Sequence, residues 1–118
     1  MSTVTGIRID TNGTLAVCQL DQAADGSLLT AMYEALDVRV IEMFELPGRI
    51  DVIFDEEGKL NGSEPNPCAT IACQILGGEF LRGDYIVGHA LFLGSTDEGE
   101  TVSLTQDQMR RIITASIE

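Results

Sequence analysis

Few side chains in this 118-residue chain could carry chemistry, and the single histidine, His89, comes first. An imidazole can move protons or hold a metal near neutral pH. His89, however, lies inside the run Ile86-Val87-Gly88-His89-Ala90-Leu91-Phe92-Leu93, and spacing along the chain puts no acid or nucleophile beside it. A hydrogen-bonded or edge-exposed structural histidine in a strand is the reading that follows. A nucleophilic thiolate needs a nearby cation or a helix N-terminus. Cys68 sits in the first turn of a helix read from Pro67 onward, which is the best enzymatic hint, yet it shares an apolar stripe with Cys73 and reads as core. Those two cysteines stand five positions apart, roughly 140° around a helix, and cannot clasp one ion together. With one histidine, no zinc set is expected, and neither metal nor cofactor is implied.

Two further groupings remain. The free amides at the same helix start, with Asn66, Thr70 and the neighbouring His89, could hold an anion, which makes a small-molecule or nucleotide-binding module one reading of the chain. A plain N-cap at Asn66 is the simpler alternative, because Glu64 and the overall charge oppose an anion. The other grouping is acidic: Asp51, Asp55, Glu56, Glu57 and Glu64, and again Asp97, Glu98 and Glu100. Oxygen-rich turns can ligate calcium or magnesium, but neither run matches an EF-hand loop. No phosphate-cradling glycine loop, paired-carboxylate spacing or Ser-His-Asp pattern is present. Read as surface, these carboxylates either keep the protein soluble or steer it to a basic protein surface, with mimicry of DNA phosphates as a narrower version.

Charge excludes several classes. Nineteen acidic residues against seven basic ones give a net charge of −12 and a pI of 4.2, the wrong sign for wrapping nucleic acid or lying on anionic lipid. Hydrophobic residues at 44% and charged residues at 22% exclude a disordered or fibrous chain and predict one globular α+β domain over 1–118. Residues 1–20 alternate polar and apolar and do not read as a secretory signal. The apolar runs at 85–87 and 90–93 are far short of the roughly 20 residues that span a bilayer. Cys18, Cys68 and Cys73, odd in number and irregular in spacing, read as reduced thiols. The expected setting is cytoplasmic.

The elements that would position these residues follow from local pattern. Asn12-Gly13 between two strand-like runs, 4–10 and 14–20, predicts an opening β-hairpin. Leu29, Met32, Tyr33 and Leu36 predict a helix over about 27–36. Strands are predicted from Val38 to Glu45, apolar on both sides as near the middle of a sheet, and from Ile50 to Asp55, joined by the turn Leu46-Pro47-Gly48-Arg49. Gly58 should supply a left-handed turn conformation. Asn66-Pro67 starts a second helix, which Gly77-Gly78 stops. Tyr85 to Gly94 is the most apolar strand and the candidate sheet centre, with Gly88 a bulge. Thr105 and Gln108 form a capping box for a last helix over about 105–117, buried through Met109, Ile112, Ile113 and Ile117. The order ββαββαβα predicts a mostly antiparallel sheet of five or six strands with three helices packed on it. A faint likeness of 9–15 to 54–60 reads as shared turn chemistry rather than duplication.

Three motifs in order, Asp55-Glu56-Glu57-Gly58-Lys59-Leu60, Pro65-Asn66-Pro67 with Ala69-Thr70, and Asp84 to Gly94, resemble a family of small domains of unknown function found in phages, plasmids and bacterial chromosomes. The likeness covers about residues 6–105. At Cys68 a polar or basic residue would be more usual, which leans that position towards packing. The resemblance implies a mobile-element setting and carries no catalytic or binding residues. The chain is thus expected to be a non-enzymatic acidic regulatory protein that binds a basic host or phage protein, inhibition of a host defence enzyme being one form of this. Asp55, Glu56, Glu57, Glu64, Asp97, Glu98 and Glu100 would form its binding face.

Overall fold

Asn12-Gly13 turns the chain as expected. In a computed structural model, which describes residues 3–77 and 84–117, strands β1 (Thr3–Ile9) and β2 (Leu15–Asp21) pair from Thr3↔Asp21 to Ile9↔Leu15. Gly13 takes φ +87, and Asn12 Oδ1 accepts the Thr14 amide at 3.0 Å. A second hairpin joins β3 (Ile41–Leu46) to β4 (Ile50–Asp55), with Gly48 and Arg49 at φ +88 and +64. Between the hairpins lies β5 (Ala90–Ser95), antiparallel to β1 on one side and β4 on the other, so the order is β2-β1-β5-β4-β3. A two-residue strand, β6 (Thr101–Val102), pairs with the end of β5 and completes six antiparallel strands. Sequence pattern did not reveal it.

Helix α1 (Leu29–Leu36) covers one face of the sheet, and helices α2 (Pro67–Ile75) and α3 (Gln106–Ser116) cover the other. Strand alternation divides the apolar side chains between them. Ile7, Ile9, Val52 and Phe92 pack with Ala72, Cys73 and Ile112. Val4, Ile53, Leu91 and Leu93 pack with Met32 and Leu36. Burying each large aliphatic side chain is worth roughly 1.5–3 kcal/mol, which is why the most apolar strand, closed on both faces, takes the centre as expected. Glycine is required where β1 meets it: a Cβ on Gly6 would stand 2.5 Å from Leu93 Cδ2 and 2.6 Å from the Phe92 carbonyl oxygen.

The departures have local causes. The strand expected from Val38 begins at Ile41 and is an edge strand rather than a central one. It reads as apolar on both sides because both faces of the sheet are covered, with Phe44 packing into one core and Ile41 into the other. Residues 85–89 are not in the ladder; Val87 makes an isolated bridge to Pro65, and Gly88, at φ +75, turns the chain into β5. Gly58 is not left-handed: it gives room, since a Cβ there would lie 2.5 Å from Val87 Cγ2, and Gly62 takes the positive φ instead. Gly77 follows α2 at φ +99, while Gly78 lies outside the described residues. The Thr105–Gln108 capping box forms in full, and Gln108 also donates to the Gly48 and Arg49 carbonyls.

Candidate functional site

β1 and β4 both end where β5 begins, so the loops after Ile9, Leu36, Asp55 and Gly62 meet at one end of the sheet. Asp37, Asp55, Glu64 and His89 line one cleft there of about 410 Å³. Glu42 and Glu56 stand beyond Asp55. Asp55 holds the loop itself: Oδ1 accepts the Glu57 amide at 2.8 Å and Oδ2 the Asn61 amide group at 3.5 Å. Among the described residues no ion pair neutralises Asp37, Glu42, Asp55, Glu56, Glu57 or Glu64.

The seven carboxylates expected on one face do not lie together. β4 and β5 run antiparallel, so the turn carrying Asp97, Glu98 and Glu100 sits at the Ile50 end of the sheet, a strand length of roughly 17 Å from Asp55. There Asp97 is paired with Arg49. Asp51 is not a surface carboxylate at all: it is 5% exposed, opposite Glu45 across the β3–β4 ladder. Its Oδ1 has no hydrogen-bond partner among the described residues. Burial pushes its pKa up, the Glu45 charge adds to the rise, and a hydrogen bond from Ser95 offsets it in part.

His89 does gain an acid, which sheet pairing supplies and linear spacing could not. Ile9 faces Ala90, so Asp10 follows β1 beside His89, with Oδ1 3.4 Å from Nδ1. The Thr11 amide also donates to that Nδ1, at 3.3 Å. A nitrogen that accepts a hydrogen bond has no proton for the carboxylate, so this is not the arrangement in which an acid orients a basic imidazole. Arg8 Nε occupies Asp10 instead, at 2.8 Å. Ser63 lines the same cleft, but no hydrogen bond joins it to His89. The imidazole ties the first hairpin turn to the central strand.

Asn66 and Thr70 are spent inside the fold. Asn66 is fully buried; Oδ1 accepts the Ala69 amide at 3.0 Å as the cap of α2, and Nδ2 donates to the Ile9 and Gly88 carbonyls at 2.9 and 2.8 Å. The Thr70 hydroxyl donates to the Asn66 carbonyl at 2.8 Å and accepts the Ile86 amide at 2.9 Å. Neither side chain keeps a group to offer a ligand. Cys68 Sγ donates to the Ser116 carbonyl of α3 at 3.3 Å, and burial raises its pKa, with the Ser116 contact offsetting part of the rise. Cys73 is pushed up to about 12 by burial. Among the described residues no group of His, Cys, Asp and Glu could hold a metal ion, and no helix is long and apolar enough to cross a membrane.

The sheet covered on both faces and the carboxylate-rich loop end define a small α+β domain. The chain belongs to the family described as domain of unknown function (DUF3846), whose model matches residues 4–116. Its fold is also similar to part of a crystal structure of the small RNA methyltransferase HEN1, with a TM-score of 0.67 at 14% identity. The match covers 95% of this chain and 16% of that one. No curated protein matches the sequence.

Proposed function

We propose that this domain is a non-enzymatic regulatory protein of phage or mobile-element type, cytoplasmic in setting, that binds a basic surface of a host or phage protein through the loop end carrying Asp37, Glu42, Glu56, Glu57 and Glu64. One observation carries the reading: six carboxylates from four segments, Asp37, Glu42, the turn 55–57 and Glu64, gather at that end without an ion pair among the described residues. Like charges held together cost self-repulsion, which a basic partner relieves while gaining long-range steering. The Asp97–Glu100 turn is a weaker candidate, since Arg49 already meets Asp97. A ligand site at Asn66, Thr70 and His89 loses support because the polar groups of Asn66 and Thr70 are engaged within the fold and His89 Nδ1 accepts the Thr11 amide. DNA mimicry loses support because the acids form two separated groups.

The test is capture of partners from a host-type lysate on tagged protein at low and high salt, compared with a Glu56→Lys/Glu57→Lys variant. Glu56 is exposed and Glu57 half-buried, and neither side chain makes a hydrogen bond or ion pair among the described residues. A stoichiometric basic protein, released by salt and lost in the variant, is the expected result. A partner held equally by the variant would refute the assignment of this end.

A further inference from the structure

We infer that a second hollow at the acidic end, above the β3–β4 edge, is a receptor for an organic cation, an alkylammonium or guanidinium group presented by a lysine or arginine side chain of the partner. The identity of the carrier rests on the interaction role proposed above, while the cation chemistry rests on the hollow itself.

The hollow has a volume of about 330 Å³ and is walled by Phe44, Phe54 and Tyr85. In a chain with only four Phe and two Tyr, that is a concentration of rings at one place. Its size suits one long side chain better than a cofactor, being at the low end of ligand cavities. Phe44 and Phe54 lie diagonally across the β3–β4 ladder and stack with centroids 5.7 Å apart and planes 19° from parallel. Glu42, Glu56 and Asp84 stand around the rings. Aromatic faces beside carboxylates are the combination that selects a soft organic cation over a neutral group or a hydrated metal ion.

A second observation shows what the hollow accepts: it already has a cation in it, set over a ring face as well as beside an acid. Lys59 Nζ lies 4.5 Å from the Tyr85 ring centroid and is paired with Asp84. That pairing raises the Lys59 pKa and lowers that of Asp84, and the Tyr85 amide fixes the same carboxylate at 2.8 Å. Lys59 is half exposed on a flexible stem, so it can swing out. It is a resident competitor. An incoming guanidinium would take the ring face and the Asp84 oxygens together, as a planar fork can.

The test is an amide and aromatic NMR titration of the full chain at fixed ionic strength. The probes are N-acetyl-arginine amide, N-acetyl-lysine amide, putrescine and the uncharged N-acetyl-norleucine amide. The charged amides should give saturating shifts at Tyr85, Phe44 and Phe54, and the norleucine amide should give none. Tyr85→Leu should weaken binding about five-fold, with Tyr85→Phe retaining it, since the ring face rather than the hydroxyl is used. Lys59→Gln should tighten binding several-fold by vacating the site. Equal binding of the norleucine amide, or weaker binding to Lys59→Gln, would overturn the inference, and preference for putrescine would overturn the assignment to a protein side chain. If the probes fail while salt-sensitive capture of a basic protein persists, this hollow is eliminated and the interaction role survives. Probe binding without any captured basic protein supports the cation chemistry and removes the proposed carrier.

Discussion

Asn66 joins the end of β1, the turn at Gly88 and the start of α2, and replacing it by alanine measures what that junction contributes. The substitution removes three hydrogen bonds from a fully buried place: the cap to the Ala69 amide and the two donations to the Ile9 and Gly88 carbonyls. Loss of an N-cap costs about 1 kcal/mol. Each buried carbonyl left without a donor costs about 1–3 kcal/mol. Asn66→Ala should therefore destabilise the domain by about 3–7 kcal/mol, a large share of the 5–15 kcal/mol typical of a whole domain. Asn66→Ser separates the contributions, since serine keeps a cap oxygen but reaches neither carbonyl; it should recover about 1 kcal/mol of the loss. Asn66→Asp keeps the cap and directs a second oxygen at two carbonyl oxygens. Its carboxyl would be driven protonated by burial, so its stability should fall as pH rises above the ordinary carboxylate range. Urea denaturation followed by far-UV circular dichroism gives all three values. A cost below about 1.5 kcal/mol for Asn66→Ala, with Asn66→Ser no different, would refute the role given to this side chain.

Asp51 gives a pH-dependent counterpart. Its folded pKa lies above the unfolded value of 3.8, so the folded protein binds the extra proton between the two, and the penalty of the buried charge develops as pH rises through that window and persists above it. Asp51→Asn should be more stable than the parent at pH 7 by about 1 kcal/mol, the scale of one poorly satisfied buried polar group, with the advantage shrinking as pH falls towards 4. Parallel urea curves at several pH values test it, and a constant difference would count against it. The thiols offer a third check: in the native protein at pH 8 Cys73 should not react with a disulfide reagent and Cys68 should react slowly, whereas urea should release both. Fast native labelling of Cys68, followed by mass spectrometry, would restore it as a nucleophile.

Local chemistry was legible in the sequence and spatial neighbourhood was not. Asn12-Gly13, the Asn66-Pro67 start of α2 and the Thr105–Gln108 box each act within four residues, and each forms as read. Apolar density marked β5 as central for the same reason that it is buried. The edge position of β3 was not readable, because an edge strand under two helical layers has the composition of an inner one. β6 gave no periodic signal, having only two residues. The acidic runs 55–64 and 97–100 look alike in the sequence, and only the antiparallel course of β4 and β5 separates them. Asp10 beside His89, and Lys59 with Asp84 over Tyr85, are brought together by pairings far apart along the chain. The burial of Asp51 likewise depends on neighbours across the ladder.

The position of β5 has a consequence for how the chain is made. Both hairpins are local and complete by Asp55, but neither pairs with the other; the strand that joins them ends at Ser95. At about 5–20 residues per second, a ribosome needs roughly 2–8 s to add the intervening residues. During that time the inner edges of β1 and β4 have no partner, and unpaired edges of this kind recruit other chains. A nascent chain halted before Ala90 is two unjoined hairpins, exposed to misassembly that the finished domain, with its centre filled, escapes.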